Sequence, residues 1–278
     1  MPIQDNQVGI YSKKNTIIIR DTETIGYVIN EMIKYNIRHF PVLSTDNVLQ
    51  GVISAIDVIQ SMHDIGSSDF LQENITSALS HDFATANSDE RVRDVINMMY
   101  NFGIDSVPIL SDDHIDGMFT DKDIVLLDPL WAGLKDEIIN EGEGIGRIIG
   151  DTNVITEEFT IWQASDKILQ SGQRQLMVKH SETGKYEGVI TVMRILSSLI
   201  PTLISEGSDI SVLHSTTVDS IIKESFFTEK IPCRVSAVRT LMNKVGVEAI
   251  PVFAGDMLIK LVTEKDLVAY AANLLNVE

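Results

Sequence analysis

The chain has 278 residues, 44% of them hydrophobic, with 22 basic and 40 acidic side chains and a formal net charge of -18. That length fits two domains of ordinary size or one large one, and that hydrophobic fraction argues against gross disorder. The charge argues against general affinity for nucleic acid or anionic membrane, and the single Cys233 excludes an intrachain disulfide and suits a reducing, cytoplasmic setting.

The opening residues are polar and lack a signal-peptide pattern, and no apolar run approaches the ~18 residues that span a bilayer. In chain order, the first element is an extended stretch, Thr16–Ile19, followed by a helix over Thr22–Tyr35. Ile25, Val28 and Met32 lie on one face of that helix, and Asn36 ends it. A strand then runs through Phe40-Pro41-Val42, a polar turn covers Ser44–Asn47, and a second strand covers Val48–Ile53. A second helix starts directly after Ser54.

The same succession recurs roughly every 70 residues, the mark of a repeat architecture. Its second copy has Phe83–Thr85, a helix with Val92, Val95 and Met99, Gly103, Val107-Pro108-Ile109 and a strand over Ile115–Phe119. In the third stand Val154–Thr156, a helix with Ile161, Ala164 and Ile168, Gly172, Leu176-Met177-Val178 and Tyr186–Ile190. The fourth has Phe226–Thr228, a helix with Val235, Val238 and Met242, Gly246, Ile250-Pro251-Val252 and Met257–Val262. Each copy reads β-α-β-β-α, so the fold class is α+β. One copy has too few elements to enclose a core and must bury a face on a neighbour. Four copies imply two pairs, with Asp128–Arg147 as the joint between them and Gly142–Gly146 as its hinge. Trp131 and Trp162 flank that joint and are candidates for packing the pairs together.

Each second strand ends in a tetrapeptide: Ser54-Ala55-Ile56-Asp57, Thr120-Asp121-Lys122-Asp123, Thr191-Val192-Met193-Arg194 and Thr263-Glu264-Lys265-Asp266. A hydroxyl followed three residues later by an acid is close to a capping box. The same geometry suits a nucleoside phosphate. The hydroxyl can donate to a phosphate oxygen, and a carboxylate one turn on can accept both hydroxyls of a ribose. The turns Ile37-Arg38-His39 and Ile104-Asp105-Ser106 would supply amides and apolar walls for a base.

Here the sequence resembles the cystathionine beta-synthase (CBS) domain family, over nearly the whole chain as four copies. The residues that carry the resemblance are Asn36–Val42 with Gly51–Asp57, Gly103–Ile109 with Gly117–Asp123, and Gly246–Val252 with Leu261–Asp266. It implies two Bateman modules: a first pair over 1–134 (repeats about 8–65 and 70–130) and a second over 135–278 (repeats about 145–202 and 215–276). Paired copies are expected to pack through their sheets, two modules into a flat disc, with clefts that bind AMP, ADP, ATP or S-adenosylmethionine. By the same resemblance Asp57, Asp123 and Asp266 hold the ribose, and Ser54, Thr120 and Thr263 face the phosphate. Ile37, Arg38, His39, Ile104, Ser106, Val247 and Ala249 frame the base. The third copy departs from the pattern, with Arg194 for Asp and Met177 for Pro, so its corner is expected to be empty or to hold a different anion. The fourth has Lys260 near the usual Gly, which narrows the corner or brings a positive charge to a phosphate. Occupancy is expected at Asp123 and Asp266 first, Asp57 next and Arg194 last.

An anionic ligand in so acidic a protein requires local cations, and Arg38, His39, Lys122, Arg174, Arg194, Lys260 and Lys265 all stand at repeat corners. Nothing in the sequence offers an activated nucleophile, a general base or a metal cluster, and no cofactor is required. Cys233 reads as a packing residue. The expected function is a non-catalytic sensor of an adenine nucleotide, acting on an unknown protein in trans, as a monomer or homodimer. An S-adenosylmethionine sensor is an alternative. So is nucleic-acid binding through Lys13-Lys14 or Arg91/Arg93, which the net charge disfavours.

Overall fold

The computed structural model describes residues 3–80, 83–140, 147–148, 154–205, 209–222 and 226–276; the Gly142–Gly146 hinge lies outside them. The first repeat is β1 (Ile19–Arg20), α1 (Ile25–Tyr35), β2 (His39–Leu43), β3 (Leu49–Ser54) and α2 (Ala55–Ile65). The second is β4 (Ala86–Asn87), α3 (Val92–Phe102), β5 (Ser106–Ser111), β6 (His114–Thr120) and α4 (Asp121–Leu126). After it come α5 (Asp128–Gly133), β7 (Ile138–Ile139) and β8 (Arg147–Ile148). The third is β9 (Val154–Thr156), α6 (Ile161–Ser171), β10 (Gln175–Lys179), β11 (Tyr186–Thr191) and α7 (Val192–Ser205). The fourth is β12 (Glu229–Lys230), β13 (Cys233–Arg234), α8 (Val235–Val245), β14 (Ala249–Ala254), β15 (Met257–Thr263) and α9 (Glu264–Leu275). The α+β class and the β-α-β-β-α order are those read from the sequence.

Boundaries moved where the sequence signal is weak. The first strand of repeat one is Ile19–Arg20, not Thr16–Ile19, and its helix starts at Ile25, because Thr24 takes the cap by accepting from the Tyr27 amide. Repeats two and four likewise begin later, at Ala86 and Glu229. The four first helices do end where expected, at Asn36, Gly103, Gly172 and Gly246, each with φ between 52° and 69°. Such left-handed positions are inexpensive for glycine and tolerable for asparagine.

In every repeat the short first strand lies parallel to the anchor strand (Pro-bearing in all but the third), which pairs antiparallel with the one after it. The antiparallel register is shared: Pro41 faces Val52, Pro108 faces Met118, Met177 faces Val189 and Pro251 faces Leu261. The segment 138–148 is more than a joint, because β8 extends the repeat-four sheet by pairing with β15 and β7 pairs with β13.

The chain divides into two compact units. One comprises 1–16, 84–149 and 227–278, hence repeats two and four; the other comprises 17–83 and 150–226, hence repeats one and three. The boundary expected at 134/135 divides the chain along its sequence, and each compact unit takes one repeat from either side of it. Both units close by the same helix pairings: α1 and α2 against α7 with α2 against α6, and α3 and α4 against α9 with α4 against α8. The first unit named is cored by Val95, Ile96, Met99, Phe119 and Ile124, with a second cluster around Val238, Met242, Ile250 and Val262. The core of the other runs through Ile29, Met32, Phe40, Phe70, Ile168, Leu176, Leu196 and Leu199. Trp131 belongs to the first, over Tyr270, and Trp162 to the second, between His63 and His214.

The glycine that precedes the corner has a structural cause. A Cβ on Gly51 would lie 2.6 Å from the Ser80 carbonyl oxygen, and one on Gly117 2.6 Å from that of Lys13. At both positions a segment crosses the sheet, with bridges between Val52 and Ser80 and between Lys13 and Met118. Gly117→Ala should therefore push the N-terminal segment off β6 and cost about 1–3 kcal/mol, the usual range for overpacking. Urea unfolding checks this, and an unchanged midpoint would refute the close approach. Repeat four carries Lys260 instead; its strand neighbours are Val252 on one side and Ile148 of β8 on the other.

Candidate functional site

The shared register fixes what faces each corner. Ser54 pairs with His39, Thr120 with Ser106, Thr191 with Gln175 and Thr263 with Ala249. A main-chain bond then closes each corner: the amide of the next residue donates to the carbonyl three places before the anchor. These are Ala55 to Arg38 (2.9 Å), Asp121 to Asp105 (3.0 Å), Val192 to Arg174 (2.9 Å) and Glu264 to Glu248 (3.1 Å). The residues expected to frame a base are thus covalently and by hydrogen bond next to the hydroxyl and its partner. His39, Ser106 and Ala249 are buried beside their hydroxyls, and Ile37, Ile104 and Val247 are half-buried two residues earlier. Arg38 is also buried, 8% exposed, so it stands within its repeat and not on the surface.

Three corners hold full capping boxes. The amide and hydroxyl of Ser54 both donate to Asp57 Oδ2, at 2.7 and 2.6 Å. Thr120 does the same to Asp123 (2.9 and 2.6 Å), and Thr263 to Asp266 (2.9 and 2.6 Å). In return each hydroxyl oxygen accepts the Asp amide at 3.2–3.3 Å. The single proton of each hydroxyl is therefore spent on the carboxylate, and a phosphate contact requires that it turn away. Burial pushes the Asp123 carboxyl above the ordinary aspartate range, against the pull of the Thr120 bonds and of the Lys13 charge. A raised carboxyl costs the fold stability at neutral pH and ceases to do so as pH falls through its folded pKa. A cap alone would gain nothing from that cost.

Lys13 is a group that the sequence placed elsewhere. Its main chain bridges Met118, two residues from Thr120, and its charge acts on Asp123. Nothing in the order of residues signals this, since 110 positions separate Lys13 from Asp123. The basic pairs considered for nucleic acid are otherwise engaged: Lys14 with Asp116, Arg91 with Asp94, and Arg93 with Asp5.

Arg194 is held in place by two hydrogen bonds. Its Nε donates to the Ile221 carbonyl at 2.6 Å, and its amide bonds Thr191 Oγ1, so the side chain braces the turn Val218–Ile221. Lys265 donates to the Gly103 carbonyl at 3.0 Å, tying repeat four to the end of α3 in repeat two. Lys122 is exposed. Lys260 is 1% exposed, and burial lowers its pKa. A cavity of about 240 Å³ gathers Tyr100, Ile104, Asp105, Asp121, Lys265 and Asp266. It brings a predicted base-frame residue of repeat two onto the corner of repeat four. A cavity of about 530 Å³ beside Asp57 is lined by Asp64, Glu73 and the segment 77–80.

Cys233 is 8% exposed, and burial pushes its thiol up to about 11. Among the described residues no group of three or more His, Cys, Asp or Glu side chains is placed to hold a metal, and no helix is long and apolar enough to cross a membrane.

The fold and its corners thus define a protein built from four copies of one small α/β unit, with a hydroxyl–carboxylate pair at three of the strand-to-helix junctions. Residues 9–64 and 75–128 match the CBS domain. The chain thus carries two matches to the CBS domain, both within its first two repeats. It is 21% identical over 290 residues to the uncharacterized protein MJ1225 of Methanocaldococcus jannaschii, covering 95% of this chain and 98% of that one. The crystal structure of MJ1225 superposes with a TM-score of 0.81 at 18% identity, over 95% and 99% of the two chains. A conserved protein of Pyrococcus horikoshii gives a TM-score of 0.60 at 18% identity, with the same coverage. Part of the chain is also 29% identical, over 117 residues, to inosine-5'-monophosphate dehydrogenase of Halobacterium salinarum. That match takes in 42% of this chain and only 22% of the dehydrogenase.

Proposed function

We propose that this protein is a non-catalytic regulatory sensor of an adenine nucleotide, AMP, ADP or ATP, held at the Asp57, Asp123 and Asp266 corners and signalled in trans to a protein partner. The observation that carries the reading is the threefold recurrence of one arrangement: carboxylate, hydroxyl, closing main-chain bond and an apolar residue (Ile37, Ile104 or Val247) two places before the residue opposite the hydroxyl. A cap explains each helix start, whereas it gives no reason for that apolar residue to recur as well. In this reading the carboxylate accepts from the ribose hydroxyls while Ile37, Ile104 and Val247 stack on the base. Ser54, Thr120 and Thr263 turn their protons to phosphate, and Arg38, His39, Ser106, Ala249, Lys122 and Lys265 stand around them. Arg194, already braced on Ile221, leaves its corner without a ligand.

A thermal-shift panel with AMP, ADP, ATP, NAD and S-adenosylmethionine tests the reading. A ligand at about 100 times its Kd should stabilise the fold by ~2.7 kcal/mol. Silence from all five would end it, and a response to S-adenosylmethionine alone would replace the nucleotide by that ligand.

A further inference from the structure

In the unit built from repeats one and three, Trp162 of α6 lies between two imidazoles. The His63 ring, from the last turn of α2, is 4.0 Å from it between centroids at 33°, and the His214 ring, from the turn Ile210–His214, is 4.3 Å away at 28°. His63 Nε2 is 2.8 Å from Ser165 Oγ, a side chain wholly inside the protein. The Ser165 hydroxyl gives its one proton to the Trp162 carbonyl at 2.8 Å, so it can only accept from His63. Nε2 therefore carries a hydrogen, and the neutral ring takes its next proton at Nδ1. We propose that the His63–Trp162–His214 stack is a proton-sensitive clasp: with a neutral His63 ring it holds α2 on α6, and acidification charges that ring and loosens the helix contact.

The competing effects have a definite order. Burial disfavours the charged His63 ring most strongly, and the His214 charge adds to it; Asp166 of α6 and Asp64 of α2 oppose it, and the net effect is a lowered pKa. The other elements packed on α2 carry Glu31 and Lys34 on α1, paired with each other, Arg194 on α7, braced on Ile221, and Asp69 in the turn Ser68–Leu71, bound by Ser67. A cation over an indole face is favourable by about 0.5–1 kcal/mol at exposed sites. Any charge on His214, beside the same indole, opposes charging of the His63 ring. A histidine with a depressed folded pKa leaves the unfolded chain holding more protons as pH falls through about 6.5, so stability drops on acidification.

The test uses a Trp131→Phe background, in which Trp162 alone reports, because a protonated imidazole against an indole quenches its emission. On titration from pH 8 to 5, emission should fall with a midpoint below about 6.5. His63→Gln should remove most of that fall. A midpoint at or above the free-imidazole value, or an unchanged curve in His63→Gln, overturns the proposal. Thermal unfolding of the otherwise unaltered chain with and without His63→Gln gives a second reading that does not depend on position 131. The unaltered chain should lose stability relative to the variant as pH falls, by about tenfold in its unfolding equilibrium for each unit of lowered pKa. Parallel pH dependence of the two chains would also overturn it.

Discussion

Asp123→Ala should weaken AMP binding about a hundredfold. Two charge-assisted hydrogen bonds from ribose are at stake, each worth about 1.5–3 kcal/mol, of which water recovers a part. The same change removes the acceptor for the Thr120 amide and hydroxyl, at a cost of ~1 kcal/mol to the fold, as for other lost caps. Asp123→Asn separates the two effects. It keeps an acceptor for the cap and removes the buried charge whose pKa is raised, so its melting temperature at pH 7 should not fall. Its affinity for AMP should still drop more than tenfold. Calorimetric titration of both variants decides the matter, and affinity equal to that of the parent chain would reduce Asp123 to a capping residue.

Phe119→Ala and Phe70→Ala should each cost about 3–5 kcal/mol, the range for emptying a fully buried aromatic site. Phe119 is 0% exposed on β6 among Val95, Val107 and Ile124; Phe70 is 0% exposed in the core that joins repeats one and three. The two losses fall on different cores, each with its own reporter, since Trp131 packs on the first and Trp162 on the second. In single-tryptophan variants, Phe119→Ala should lower the urea midpoint seen by Trp131 by the larger amount, and Phe70→Ala that seen by Trp162. A loss under about 1 kcal/mol at either position would contradict its burial.

The anchors were legible because each repeat spends its most constrained residues there. A left-handed position demands Gly or Asn, and the helix face before it demands apolar residues at fixed offsets, so four copies align on Asn36, Gly103, Gly172 and Gly246. The corner was legible for the same reason, hydroxyl and carboxylate being bound to one helix turn. What stayed hidden depends on distant partners. β1 and β4 are two residues long and exist only because Leu43 and Leu110 lie beside them, so their own sequence does not mark their ends. The glycines at 51 and 117 were visible as a pattern, while their cause is a main chain arriving from residues 80 and 13. Lys13 itself looked like part of a basic patch, and only the fold places it beside β6, as it places Lys265 on the Gly103 carbonyl.

The grouping of repeats one with three and two with four has a consequence for biosynthesis. While the first half of the chain leaves the ribosome, the apolar flanks of α1, α2, α3 and α4 that later meet α7, α6, α9 and α8 have no partner. The unit of repeats one and three closes only after α7 is made, and that of repeats two and four only after α9, the last helix of the chain. Closure over such separations is slow and leaves apolar surface open to chaperones or to a neighbouring nascent chain in the meantime. A pause in translation between α5 and α6 would lengthen that exposure for both units at once.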